Sequence, residues 1–181
     1  ASFGVGGETV TDVTYRDARK IEPDNFLTSI DLSSTSVLPL LLKTLGPNLG
    51  SIRTQLYKLN IYGPGGHFEP HVDTPRSADM FGSLVVCLPT HFTGGSLVLH
   101  HRKQEVVYDW SSTPEHPAAR TIKWAAFFSN IEHEILPVTS GYRVTLTYNL
   151  YRDGSKMQRP ELTSPEITAF KKCFIEALSN P

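Results

Sequence analysis

The chain has 181 residues, with 17 Lys and Arg against 18 Asp and Glu and a formal net charge of −1. That length supports one domain able to bury most of its apolar surface, and the balanced charge gives no electrostatic footprint for nucleic acid or an anionic membrane. Two cysteines, Cys87 and Cys173, are too few for a disulfide framework, and neither a membrane span of ~20 apolar residues nor a basic-then-hydrophobic leader is present, so an intracellular, cytoplasmic-type protein with reduced thiols is expected.

Residues 1–34 are polar and irregular and read as a flank that packs on a core. Between Ser36 and Leu45 the apolar set Val37, Leu38, Leu40, Leu41, Leu42 and Leu45 is followed by Gly46 and Pro47. This predicts one short helix with a stop, covering a sheet. From Thr54 to Arg152 the texture changes to short runs of Val, Ile, Leu, Tyr and Phe between Gly, Pro and Ser turns. Eight strands are predicted: Gln55–Tyr62, His67–Asp73, Phe81–Pro89, Ser96–His101, Glu105–Trp110, Ile122–Ser129, His133–Val138 and Tyr142–Tyr151. About eight strands with no helical pattern between them imply a mainly β jelly roll rather than a parallel βαβ sheet. Past this, Thr163-Ser164-Pro165-Glu166 has capping-box spacing, and Ile167, Phe170, Phe174 and Leu178 share one helical face, which predicts a terminal helix. The expected organisation is a single domain, 1–181, with a β core over 54–152 and flanks 1–53 and 153–181.

The sharpest chemical feature is His71-Val72-Asp73. Residues i and i+2 of an extended segment point to the same side and can share one ion. Alone, such a tripeptide is also consistent with a hydrogen-bonded polar pair at a strand end. A third ligand must come from elsewhere, and His133, which opens a predicted strand after the apolar run Trp124–Phe128, is the strongest candidate. Two imidazoles and one carboxylate with open positions suit iron(II). His67 shares extended spacing with Glu69 and His71 and is the spare ligand; His91, His100, His101 and His116 fit turn, loop or surface roles.

On the strand Tyr142–Tyr151, Tyr142, Val144, Leu146 and Tyr148 alternate with Arg143, Thr145, Thr147 and Asn149. Either the polar face is exposed and Arg143 pairs with a nearby carboxylate, or it looks into the barrel. An inward arginine demands an anionic counterpart, and its planar fork suits a carboxylate bidentately. A dicarboxylate co-substrate would meet that demand.

The run Tyr62-Gly63-Pro64-Gly65-Gly66-His67-Phe68-Glu69-Pro70-His71-Val72-Asp73 resembles the metal-binding segment of prolyl 4-hydroxylases. The similarity continues through Gly94-Gly95-Ser96-Leu97, His133 and Arg143, and so covers about Gln55 to Tyr151. The resemblance implies an iron(II) and 2-oxoglutarate dioxygenase on a double-stranded β-helix with flanking helices. It makes His71, Asp73 and His133 the iron ligands and places the distal carboxylate of 2-oxoglutarate on Arg143, supported by Thr147 and Tyr62. Two departures stand out. Collagen-type members carry Lys where this chain has Arg143, and Cys87 and Leu88 stand near the position where relatives often have a co-substrate tyrosine.

The implied chemistry couples oxidative decarboxylation of 2-oxoglutarate by O2 to hydroxylation of a C–H bond, with ascorbate as an accessory reductant, and it needs no separate catalytic acid or base beyond the metal centre. The expected substrate is a prolyl residue in an extended peptide, since polyproline II lies in aromatic-lined grooves. Tyr57, Tyr62, Phe68, Phe81 and Trp110 are candidate wall residues. A small-molecule substrate is the other option, and no nucleic acid or membrane partner is expected. The rival reading is a cupin-like metal-binding module or isomerase that does not use 2-oxoglutarate.

Overall fold

The computed structural model describes residues 3–5, 8–10, 12–46, 50–112 and 122–153. The helix expected after Thr163, along with His116 and Cys173, lies outside them. The N-terminal flank holds a small hairpin of β1 (Phe3–Val5) and β2 (Glu8–Val10), then β3 (Arg16–Asp17) and β4 (Arg19–Ile21). Two single 3-10 turns, Pro23–Asn25 and Leu32–Ser34, lead into α1 (Val37–Leu45). The core strands follow: β5 (Ile52–Tyr62), β6 (His67–His71), β7 (Met80–Cys87), β8 (Phe92–Gly94), β9 (Leu97–His101), β10 (Gln104–Tyr108), β11 (Lys123–Phe128), β12 (Glu132–Ile135), β13 (Val138–Gly141) and β14 (Arg143–Arg152).

The strands form two five-stranded antiparallel sheets, ordered β10-β9-β12-β6-β3 and β11-β7-β14-β5-β4. Antiparallel pairing runs through every ladder, as alternating hydrophobic patterns joined by tight turns require. Phe68, Leu97 and Ile135 of the first sheet meet Tyr62, Cys87, Ala125 and Phe127 of the second in one buried cluster. The outer face of the second sheet carries Leu84, Val86, Leu146, Tyr148 and Leu150, and α1 covers it through the buried Leu41 with Val37, Leu38 and Leu45 around it. The fold is thus mainly β, two facing sheets of a jelly roll with helical cover on one side.

All eight expected core strands form. The pair β8–β13 is additional, because Thr93-Gly94-Gly95 reads as a turn in sequence whereas Thr93 and Gly94 sit in a short ladder opposite Ser140 and Val138. Gly95 adopts φ +66, and a Cβ there would lie 2.8 Å from Val138 Cγ2 and 3.1 Å from Arg143 Cδ. Its missing side chain is the space through which the Arg143 stem passes.

Two β-bulges set which residues face inward. Opposite β14, Lys58 pairs with Thr147 and Leu56 with Tyr148, so Tyr57 is an extra residue in β5. Leu56 and Leu59, three residues apart, consequently both pack on the outer cluster. In β7, Gly82 pairs with Leu150 and Met80 with Tyr151, which makes Phe81 the extra residue. A bulge re-aims its side chain, and Phe81 joins the outer cluster rather than the groove wall that simple alternation predicts.

Candidate active site

His71 is the last residue of β6, and β12 lies beside it in register, with His133 directly opposite His71. Asp73 follows two residues later, just past the strand end, and folds back so that donor atoms of His71, Asp73 and His133 all lie within 4.8 Å of one another. The ring of Phe68 stacks on that of His71 at 3.5 Å, and Phe127 stands 4.5 Å from His133. These rings clamp the two imidazoles, whose centroids are 4.2 Å apart.

The tautomers follow from the hydrogen bonds. His71 Nδ1 lies 2.9 Å from Glu69 O, and His133 Nδ1 lies 3.0 Å from Ile131 O. A carbonyl only accepts, so each Nδ1 carries the proton and each Nε2 presents a lone pair to the shared space. Burial, followed by the neighbouring His133, pushes the His71 pKa down to about 3, which keeps it neutral and ligand-competent. Burial opposes the charge on Asp73, but His133, the Ser83 hydroxyl, Lys58 and His71 outweigh it and hold the carboxyl below its ordinary value. Ser83 Oγ donates to Asp73 Oδ2 at 2.6 Å, which leaves Oδ1 facing His133 Nε2 at 3.9 Å. Two nitrogens and one ionised oxygen converging from three positions fit a borderline divalent metal with open coordination sites.

Three further histidines are engaged elsewhere. Both ring nitrogens of His67, the spare ligand of the sequence reading, are held by carbonyls, Gly65 O at 2.9 Å and Thr14 O at 3.0 Å. His100 bonds Glu134 at 2.9 Å, and His91 lies against Ser112.

The three donors open into a cavity between the sheets, and Tyr62, Asn60, Lys58, Arg143, Thr145 and Thr147 line its other side. At its closed end Arg143 is 1% exposed, with the rings of Tyr62 and Trp110 each 5.5 Å from its guanidinium carbon. No carboxylate pairs with it among the described residues, and its Nε and Nη2 have no hydrogen-bond partner there. The neighbouring Thr145 hydroxyl is likewise buried and unpartnered. Thr147 differs, because its Oγ1 accepts from Asn60 Nδ2 at 3.1 Å. Arg143 and Thr145 therefore offer three unused donors to one anionic oxygen-bearing group. Cys87 lies beside Thr145 in the ladder and near Arg143, and burial raises its thiol pKa.

At the other end the cavity holds Lys58 and Arg16. Arg16 Nη2 donates to Asn60 Oδ1 at 2.8 Å, and its guanidinium lies 4.6 Å over the Phe68 ring. Burial, then Arg16, push the Lys58 pKa down to about 7 against the pull of Asp73. Neither residue is signalled as functional by motif. Lys58 shares a face with Asn60 and Tyr62 by simple alternation, whereas nothing in the flank marks Arg16.

Comparison with known proteins identifies the superfamily and the fold. Residues 57–151, just over half of the chain, match the family model described as 2OG-Fe(II) oxygenase superfamily. No curated protein matches. A 2OG-Fe(II) oxygenase family oxidoreductase from Burkholderia pseudomallei shares 20% identity over 84% of this chain and 72% of its own, with a TM-score of 0.51. A viral collagen prolyl hydroxylase from Paramecium Bursaria Chlorella virus-1 shares 14% identity over 77% of this chain and 81% of its own, with a TM-score of 0.50. A Pseudomonas putida prolyl-4-hydroxylase shares 22% identity over 78% of this chain and 75% of its own, at a TM-score of 0.48. The sheet architecture and the matched span agree, and this chain belongs to the 2-oxoglutarate and iron(II) oxygenase superfamily.

Proposed function

We propose that the protein hydroxylates a C–H bond of a prolyl residue in a peptide or protein, with iron(II) held by His71, Asp73 and His133 and 2-oxoglutarate anchored at Arg143. One observation carries this reading: a convergent 2-His-1-carboxylate donor set shares a cavity with a buried guanidinium whose Nε and Nη2 lack a partner. A dicarboxylate explains the second half of that cavity, and a cupin-like isomerase has no use for it. When bound, iron(II) and 2-oxoglutarate supply the oxidising power that no side chain has. This chain's residues do the rest. Thr145 and Tyr62 frame the Arg143 end, and Thr147, on the strand of Arg143, is held by Asn60 of the neighbouring β5. Phe68 and Phe127 fix the imidazoles and line the cavity beside them.

The prolyl part of the reading rests on the likeness of Tyr62–Asp73 to prolyl hydroxylases, and relatives named as prolyl hydroxylases share the fold. Of the aromatic residues expected to wall a groove, Tyr62 and Phe68 line the cavity, Trp110 packs on Arg143, and Tyr57 stands beside Lys58.

The test is incubation with iron(II), O2, 2-oxoglutarate and ascorbate together with proline-rich peptides, reading succinate and peptide mass. A gain of one oxygen on proline, absent when proline is replaced by alanine, is expected. His71→Ala, Asp73→Ala and His133→Ala should each remove turnover and weaken iron binding. Oxygen arriving on lysine, asparagine or a free metabolite overturns the prolyl assignment, and turnover that survives loss of any one of the three residues overturns the ligand set.

A further inference from the structure

Besides Arg143, the cavity is lined by two further cations, Lys58 and Arg16. Along β5, Tyr62 stands opposite Arg143, Asn60 opposite Thr145 and Lys58 opposite Thr147. Lys58 is therefore four residues from the Arg143 end, roughly 13 Å along the strand. A five-carbon dicarboxylate has four C–C bonds between its carboxyl carbons, little more than the three-bond step of about 3.8 Å between neighbouring Cα atoms. Anchored at Arg143, it does not reach Lys58. Lys58 is therefore left for another group in the same cavity.

The bulge at Tyr57 organises this end. Lys58 Nζ lies 4.6 Å from the Tyr57 ring, and Arg76, from the segment after Asp73, donates to the Tyr57 hydroxyl with its guanidinium carbon 5.0 Å from the same ring. Two cations thus lie against one aromatic ring, and Lys58 of the pair lines the cavity. Lys58 is half-buried and forms no ion pair among the described residues, while the carboxylates nearby are committed elsewhere: Asp73 to Ser83 and the metal set, Glu22 to Lys20 at 2.8 Å. A half-buried ammonium without a counter-charge is unfavourable unless a ligand supplies one.

We propose that Lys58 and Arg76 bind a carboxylate of the prime substrate, so that the enzyme selects acidic substrates. This rests on the hydroxylase reading above. The carboxylate has two sources, an Asp or Glu side chain next to the target residue in a peptide, or the carboxyl group of the target residue itself.

The full chain loaded with Mn(II) and 2-oxoglutarate, which binds without turning over, separates these. Its affinity is measured calorimetrically for proline peptides carrying Glu or Gln on either side, and for N-acetylproline against N-acetylprolinamide. Preference for the charged member by about tenfold is expected in one pair, the ratio of a charge-assisted bond in a half-buried site. A preference among the peptides assigns the adjacent side chain, and a preference for N-acetylproline assigns the residue's own carboxylate. Lys58→Met and Arg76→Met should each bring the ratio towards one while 2-oxoglutarate still binds, and Lys58→Glu should favour the peptide carrying Lys in place of Glu. Equal or undetectable binding of charged and neutral members, with 2-oxoglutarate bound, overturns this inference alone. Failure of Mn(II) and 2-oxoglutarate to bind the parent overturns the hydroxylase reading and this inference with it.

Discussion

Arg143 holds a charge where the folded chain offers it too few partners. Burial disfavours that charge, and Nε and Nη2 stay unpaired. Each unsatisfied buried donor costs about 1–3 kcal/mol, so the residue is retained against the interest of stability. Arg143→Met, similar in length and uncharged, should raise the unfolding free energy of the ligand-free protein by about 1–3 kcal/mol. The parent's melting temperature should climb with added 2-oxoglutarate and Mn(II) through binding linkage, and the variant's should not. A variant no more stable than the parent when ligand-free, or still stabilised by 2-oxoglutarate, would remove Arg143 from the anchoring role. Much of this site is legible in sequence. His71 and Asp73 are two residues apart, His133 starts a strand, and Arg143 alternates with apolar neighbours. What stays hidden depends on contacts distant in sequence. The Ser83 bond to Asp73, the Asn60 bond to Thr147 and the arrival of Arg16 from the flank leave no local pattern.

Among the elements, β14 is the spine, since it pairs along almost its whole length with β5 on one side and β7 on the other. Period-two alternation reveals such a strand, but not the bulges that Tyr57 and Phe81 make in its neighbours. One inserted residue reverses the face of everything beyond it. This is why alternation places Phe81 wrongly and does not foresee Leu56 and Leu59 on one face. The β8–β13 ladder at Gly94 is hidden for a related reason, because glycines that read as a turn are here required by positive φ and close approach. Gly95→Ala would force a Cβ against Val138 and the Arg143 stem. It should destabilise the protein by about 1–2 kcal/mol through the left-handed backbone alone and lower 2-oxoglutarate affinity severalfold while Mn(II) affinity stays near the parent's. Calorimetric titration of each ligand checks this, and an unchanged affinity for 2-oxoglutarate would mean that Gly95 does not set the path of Arg143.

At the scale of the molecule the two apolar clusters have separate tasks. The inner one surrounds the cavity, and the outer one joins α1 to the back of the β11-β7-β14-β5-β4 sheet. Leu41, 2% exposed, is the centre of that joint. Leu41→Ala should cost about 2–5 kcal/mol and move the urea midpoint down at constant slope, yet leave metal and 2-oxoglutarate affinities unaltered in the folded protein. Loss of ligand affinity in parallel with stability would show that the clusters are coupled.

The short segment from Arg16 to Ile21 closes one side of the fold. β3 ends the first sheet and β4 ends the second, with only the buried Ala18 between them. A long exposed strand edge is a template on which another chain can pair and begin an aggregate. On this side β4 shields Leu59–Ile61 of β5 and β3 shields His67 and Phe68 of β6, so at these positions a second molecule meets only edges of three and two residues. Resistance to chain-to-chain association here is therefore carried by residues that precede the span shared with the family, in the same few positions that send Arg16 into the cavity.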